Sequence, residues 1–273
     1  MTTRKSGVTN NKMVSIYKKP FALVCGLSIL MFSLTCNSKA VITILADDDY
    51  PPYSYFEDGE LKGLYIDLLK HARTKLKPDY DVEIIPMPWK RALLTIKKGS
   101  VLGIVPPYIH YDSRPYISSY SVALGTEFVV TYCRENIDLE KALNTNSPIQ
   151  KPIHLGMNAG YLILDERYKK AIRQGRILLW ENKSTAANII KLLTNKIDCY
   201  ANDRKATQYE LDNVKKANPQ YAAITVIERD EISHRTAHIG FSREARYSYK
   251  DDFIKRMNEA LFDVMHESRT EKN

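Results

Sequence analysis

Val41-Ile42-Thr43-Ile44-Leu45 is a β-branched run with too little polar alternation for an exposed strand, and it reads as a buried strand of a mixed or parallel sheet. Pro51-Pro52 and Asp58-Gly59 then mark turns before a helix beginning near Gly63. In that helix Tyr65, Leu68, Leu69, Ala72 and Leu76 fall on one face, and Pro78 stops it. Val82 to Ile85 is a second strand. Trp89, Ala92, Leu93 and Ile96 mark a short helix ending at Gly99, and Val101 to Val105 is a third strand. This βαβαβ order with short connections predicts an α/β sheet with its ligand at the carboxyl ends of the strands. Tyr50, Trp89 and Tyr108 all lie at or near such ends.

Working outward, the second half repeats the style without repeating the sequence. Strands are expected at 153–156, 177–180, 197–201, 222–227 and 237–241. Gly160-Tyr161 is expected to open a helix, Ser184 or Thr185 to cap another with Ala186, Ile189, Ile190 and Leu193 on its apolar face, and a helix follows over 204–216. Phe253, Met257, Ala260, Leu261 and Val264 mark a terminal amphipathic helix.

The N-terminus has a different character. Arg4, Lys5, Lys12, Lys18 and Lys19 precede an apolar run from Phe21 to Leu34, and Ser38-Lys39-Ala40 offers a small-x-small cut site. This pattern is that of a secretory signal peptide over residues 1–40, cleaved after Ala40. The apolar run is shorter than the roughly 20 residues a membrane span needs. Six of the 40 basic residues and none of the 32 acids lie in those first forty positions. The remainder holds 34 basic against 32 acidic residues, so the net charge falls from +8 to +2 and no nucleic-acid partner is indicated. Cys25 and Cys36 would leave with the leader. Cys133 and Cys199 then remain, either as one disulfide or as two buried thiols. The six histidines show no metal-ligand spacing; His234 and His238 are four apart in a stretch that reads as extended. No cofactor motif is present.

Four segments carry a family resemblance: Asp47-Asp48-Asp49-Tyr50-Pro51-Pro52-Tyr53, Trp89-Lys90-Arg91-Ala92, Tyr111-Asp112-Ser113-Arg114 and Ile197-Asp198-Cys199-Tyr200-Ala201-Asn202-Asp203. In order and spacing they resemble the family 3 extracellular solute-binding proteins, periplasmic receptors that usually serve polar amino-acid uptake. The resemblance implies a type II-like, two-lobed periplasmic-binding-protein fold, two α/β lobes joined by a two-segment hinge around a cleft. Lobe 1 would take residues 41–127 and 237–273, lobe 2 residues 128–236, with hinge segments near 127–132 and 234–238. It also implies that Arg114 grips a ligand carboxylate and Asp203 an ammonium. Tyr50 and Trp89 would supply aromatic walls, with Asp47, Tyr108 and a helix start at Gly160-Tyr161 completing the contacts. A planar guanidinium suits a carboxylate because it offers two parallel charge-assisted hydrogen bonds.

The chain departs from the family pattern in Pro106-Pro107-Tyr108-Ile109, which removes backbone donors and a hydroxyl, in Leu102, and in Met157. The implied protein is a periplasmic monomer that passes a small ligand to an inner-membrane ABC permease or to a sensor receptor. A dehydratase-like enzyme on the same fold is the alternative, with His110 and Glu127 as its available groups.

Overall fold

Describing residues 39–144, 146, 148 and 151–270, the computed structural model starts at the last two positions of the expected leader, so that reading otherwise lies outside the described residues. The first strand, β1 (Ala40–Asp47), buries Ile42, Ile44, Leu45 and Ala46, as its unbroken apolar run requires. A small antiparallel sheet follows: β2 (Asp49–Tyr50), β3 (Ser54–Glu57) and β4 (Glu60–Lys62). Then come α1 (Leu64–Leu76), β5 (Tyr80–Met87), α2 (Trp89–Lys97), β6 (Gly103–Val105) and β7 (Ile117–Tyr120). Gly63 precedes α1 with φ +121°, and a Cβ there would lie 2.4 Å from the Tyr53 carbonyl oxygen, so only glycine fits this close approach.

The chain next runs through β8 (Gly125–Arg134), α3 (Leu139–Leu143), β9 (Ile153–Asn158), α4 (Glu166–Arg173), β10 (Ile177–Asn182), α5 (Thr185–Leu193), β11 (Cys199–Asp203), α6 (Arg204–Ala217) and β12 (Val226–Ala237). It ends with β13 (Gly240–Ser242) and α7 (Lys250–Thr270). Two five-stranded sheets result, ordered β5-β1-β6-β13-β7 and β10-β9-β11-β8-β12. After β12 the chain returns to the first sheet, where β13 pairs antiparallel with both β6 and β7. The long strands β8 and β12 pair antiparallel from Gly125↔Ala237 to Arg134↔Val226, and they carry the chain out of the first sheet's lobe and back. The expected lobe boundaries at 127/128 and 236/237 fall inside these two strands.

Register places the strand ends that matter. Parallel pairing runs Ala40↔Tyr80 to Asp47↔Met87, and Ala46 pairs with Val105. Asp47, Trp89 and the Pro106–Tyr108 segment therefore emerge at one edge of the first sheet. In the second sheet Asn158 pairs with Asn182, so residues 159–161 leave the carboxyl end of β9.

Three expectations need correction. The strand expected over 101–105 spans only Gly103–Val105. Of the strand expected over 222–227 only Val226 and Ile227 are extended, as the start of twelve-residue β12, whose charged sequence hid its length. Being the sheet's edge strand, β12 leaves one rim to solvent and buries only Ile232 and Ala237. Finally, the helix expected to open at Gly160-Tyr161 begins at Glu166. Gly160 adopts φ +85° in a turn, and Asp165 is the N-cap, accepting from the Arg167 and Tyr168 amides. Cys133 and Cys199 lie directly opposite each other in the β8–β11 ladder and form a disulfide.

Candidate functional site

The carboxyl ends of β1, β5 and β6 and the turn after β9 enclose a cleft cavity. It holds about 340 Å³ of non-atom space, part of it open to solvent. Asp47, Tyr50, Trp89, Tyr108, Arg114 and Tyr161 all line it. Pro106, Pro107, His110, Leu162 and Ile163 complete the wall. Leu162 and Ile163 escaped the sequence reading because a segment expected as helix is an irregular strap here, in which Ile163 is buried while Leu162 stays exposed.

Arg114 sits in a tight turn in which its amide donates to the His110 carbonyl at 2.9 Å. Its side chain is 3 % exposed, and no carboxylate among the described residues lies within ion-pair distance. Nη2 donates to the Gly160 carbonyl at 2.8 Å, and the guanidinium carbon lies 5.4 Å from the Trp89 ring centroid. Burial lowers its pKa. The Trp89 indole N–H is buried with no partner among the described residues, so this wall also carries an unused donor.

Asp47 is the acid in the cavity. Its carboxyl accepts from the Asp49 amide at 3.2 Å and from the Tyr161 hydroxyl at 3.4 Å. Burial outweighs these bonds and pushes the carboxyl up to about 8. His110 is held down at about 4, first by burial and then by the Arg114 charge, so its ring is neutral near pH 7.

Asp203, expected to face Arg114, is not among the lining residues. It is 1 % exposed, and its oxygens accept from the Tyr53 hydroxyl (2.9 Å), the Phe128 amide (3.1 Å) and the Ala206 amide (2.9 Å). It caps α6 and ties that helix across the cleft to Tyr53. The backbone at Gly160-Tyr161 does not offer the expected free helix start: Gly160 N–H donates to Glu181 at 3.3 Å, and Tyr161 N–H donates to the Asn158 carbonyl at 3.1 Å.

Behind the tyrosine wall lies Glu127, wholly buried at the start of β8. The hydroxyls of Tyr50, Tyr65 and Tyr108 all donate to its carboxylate, the Tyr65 bond at 2.7 Å. Burial, followed by the nearby Asp203 charge, raises Glu127 to about 7 against the pull of those three donors. The sequence marked Glu127 only as a spare acid; its role as the anchor of three tyrosines carries no local signal.

In sequence, residues 42–131 match the model of the bacterial extracellular solute-binding proteins, family 3. No curated protein matches the sequence significantly. Among solved structures, the chain is similar to a histidine kinase sensor domain with similarity to periplasmic binding proteins (TM-score 0.68, 12 % identity, 86 % of this chain and 94 % of that one). It is also similar to the arginine-, lysine-, histidine-binding protein ArtJ from Geobacillus stearothermophilus (TM-score 0.63, 18 % identity, 85 % and 91 %). A third similar structure is an ancestral amino acid-binding protein, a precursor of cyclohexadienyl dehydratase (TM-score 0.62, 16 % identity, 85 % and 92 %). The fold is thus the two-lobed α/β fold of periplasmic binding proteins.

Proposed function

We propose that this chain is a family 3 type solute-binding protein that captures a small zwitterion, an amino acid or a close relative, outside the cytoplasm for uptake by an ABC-type permease. One observation carries the reading: Arg114 is a buried guanidinium lining the cleft cavity with no carboxylate partner among the described residues. An uncompensated buried charge costs several kcal/mol, roughly, after relaxation, and a ligand carboxylate would remove that cost. Asp47 lines the same cavity and takes the ammonium role in this proposal. Asp203, the residue expected for it, instead braces Tyr53 and α6 behind the wall. Tyr50, Trp89 and Tyr108 give the cavity its aromatic faces.

The Cys133–Cys199 disulfide supports an oxidising compartment such as the periplasm. Among the described residues no helix is long and apolar enough to cross a membrane. Binding rather than catalysis is the reading, because Glu127 is enclosed by three tyrosine hydroxyls and Asp47 is the one acid among the described residues that line the Arg114 cavity.

The direct test is a thermal-shift screen of the purified chain against the amino acids, their decarboxylated amines and their deaminated acids. At least one amino acid should stabilise the fold, with the matching amine and acid both much weaker. Equal binding of a neutral solute would overturn the zwitterion. A second reading, presentation of bound solute to a signalling receptor, is favoured by the similarity to the kinase sensor domain. Crosslinking in cells would separate the two: capture of a permease supports uptake, and capture of a sensor kinase supports signalling.

A further inference from the structure

The interlobe cleft holds a second chamber. It spans about 770 Å³ of non-atom space, part of it open to solvent, and is bordered by Asp48, Asp49, Lys90 and Lys183. It shares three wall residues with the Arg114 cavity: Asp47, Trp89 and Tyr161.

These walls are not equivalent. Asp47 ends β1, and Trp89 begins α2 within the buried cluster of Leu45, Ala92 and Ile104. Tyr161 alone comes from the second lobe, on the irregular strap between β9 and α4. Its ring meets Tyr50 edge-on at 5.9 Å and Trp89 edge-on at 6.4 Å, and its hydroxyl donates to Asp47. Arg114 holds the preceding carbonyl, that of Gly160. A rigid ring braced edge-on by two aromatic neighbours, with tip and backbone both tied, is a fixed partition.

We propose that Tyr161 sets the maximum length of the ligand by separating the Arg114 cavity from the second chamber. The inference rests on the proposed anchoring of a ligand carboxylate at Arg114. From that anchor, a short side chain ends against the Tyr161 ring. A longer one must break the two edge-on contacts and strip Asp47 of its tyrosine donor. Removing the ring joins the two chambers while leaving Arg114, Asp47 and the sheet framework in place.

The test is calorimetric titration of the full chain with straight-chain L-α-amino acids from alanine to 2-aminooctanoate. Wild type, Tyr161→Ala, Tyr161→Leu and Tyr161→Phe are compared, with thermal melts to establish folding; the Leu variant covers the case in which the Ala variant does not fold. Wild type should reach an optimum at a short chain and then lose affinity. Tyr161→Ala or Tyr161→Leu should move the optimum by two or more methylenes and bind the longest member at least tenfold more tightly than wild type. Tyr161→Phe should keep the wild-type limit, since it retains the ring. An unchanged length limit in a folded Ala or Leu variant overturns the partition alone. Absence of binding to the whole series by wild type overturns the partition; the zwitterion reading falls with it only if the thermal-shift screen also finds no amino-acid ligand.

Discussion

Arg114 and Asp47 hold the chemistry at the scale of single residues, and each makes a distinct prediction. Truncating one member of a buried charged pair typically costs about 2–5 kcal/mol of binding. Arg114→Ala should therefore weaken the best amino-acid ligand by about that much, and Arg114→Lys should also bind poorly because a point charge lacks the bidentate fork. Calorimetry decides this; an affinity unchanged in both variants would make Arg114 structural. Asp47 predicts a pH dependence. Its carboxyl is near 8 in the fold against an ordinary 3.8, so the fold favours the protonated form. Its stabilising contribution is complete at low pH and is lost as pH rises through about 8. Glu127, raised to about 7, adds a loss of the same sign over the lower part of that window. Wild-type stability should thus fall between pH 5 and 8.5 in urea denaturation, and Asp47→Asn should flatten the upper part of the decline. An ammonium ligand favours ionised Asp47, so binding at pH 7 should release a proton, seen as a buffer-dependent binding enthalpy that vanishes in Asp47→Asn.

Among the elements, β8 and β12 connect the lobes and β11 is clamped to β8 by the disulfide. The crosslinked residues are 66 apart in sequence, a long loop for the unfolded chain to keep closed. Replacing both cysteines by alanine should lower stability by about 2–5 kcal/mol, with the curves compared under non-reducing conditions. A coincident denaturation midpoint for oxidised wild type and the double variant would show that the crosslink contributes nothing. The same elements show where local sequence is a good guide. The apolar stripes of α1 and α2 and the buried run of β1 are legible because one residue period meets one core face. The charged strand β12 is not, since an edge strand needs few apolar residues and its ladder partner is about a hundred residues away.

In the whole molecule, the lobes meet through Arg114 and Gly160, Tyr53 and Asp203, and Tyr161 against Asp47, Tyr50 and Trp89. With β8 and β12 connecting the lobes, hinge closure around a ligand is the proposed motion. A ligand at a hundredfold excess over Kd should add about 2.7 kcal/mol to stability. Small-angle scattering should show a smaller radius of gyration on saturation; an unchanged radius with saturated binding would sink the clamp.

What the sequence determined by itself was the α/β class and, in the first lobe, β1, α1, β5, α2, the core of β6 and α7. Tyr50, Trp89 and Tyr108 were legible because strand and helix ends follow from local periodicity, and parallel pairing brings those ends to one edge; Asp47 and Arg114 were marked by the family resemblance. Only the tertiary structure decided that Cys133 meets Cys199, that Asp203 turns to Tyr53 and that Glu127 gathers tyrosines 77, 62 and 19 residues away. It also decided that Gly160-Tyr161 is a strap and not a helix start. The reason is physical: a buried polar group must find a partner, and which partner it finds depends on how distant segments pack.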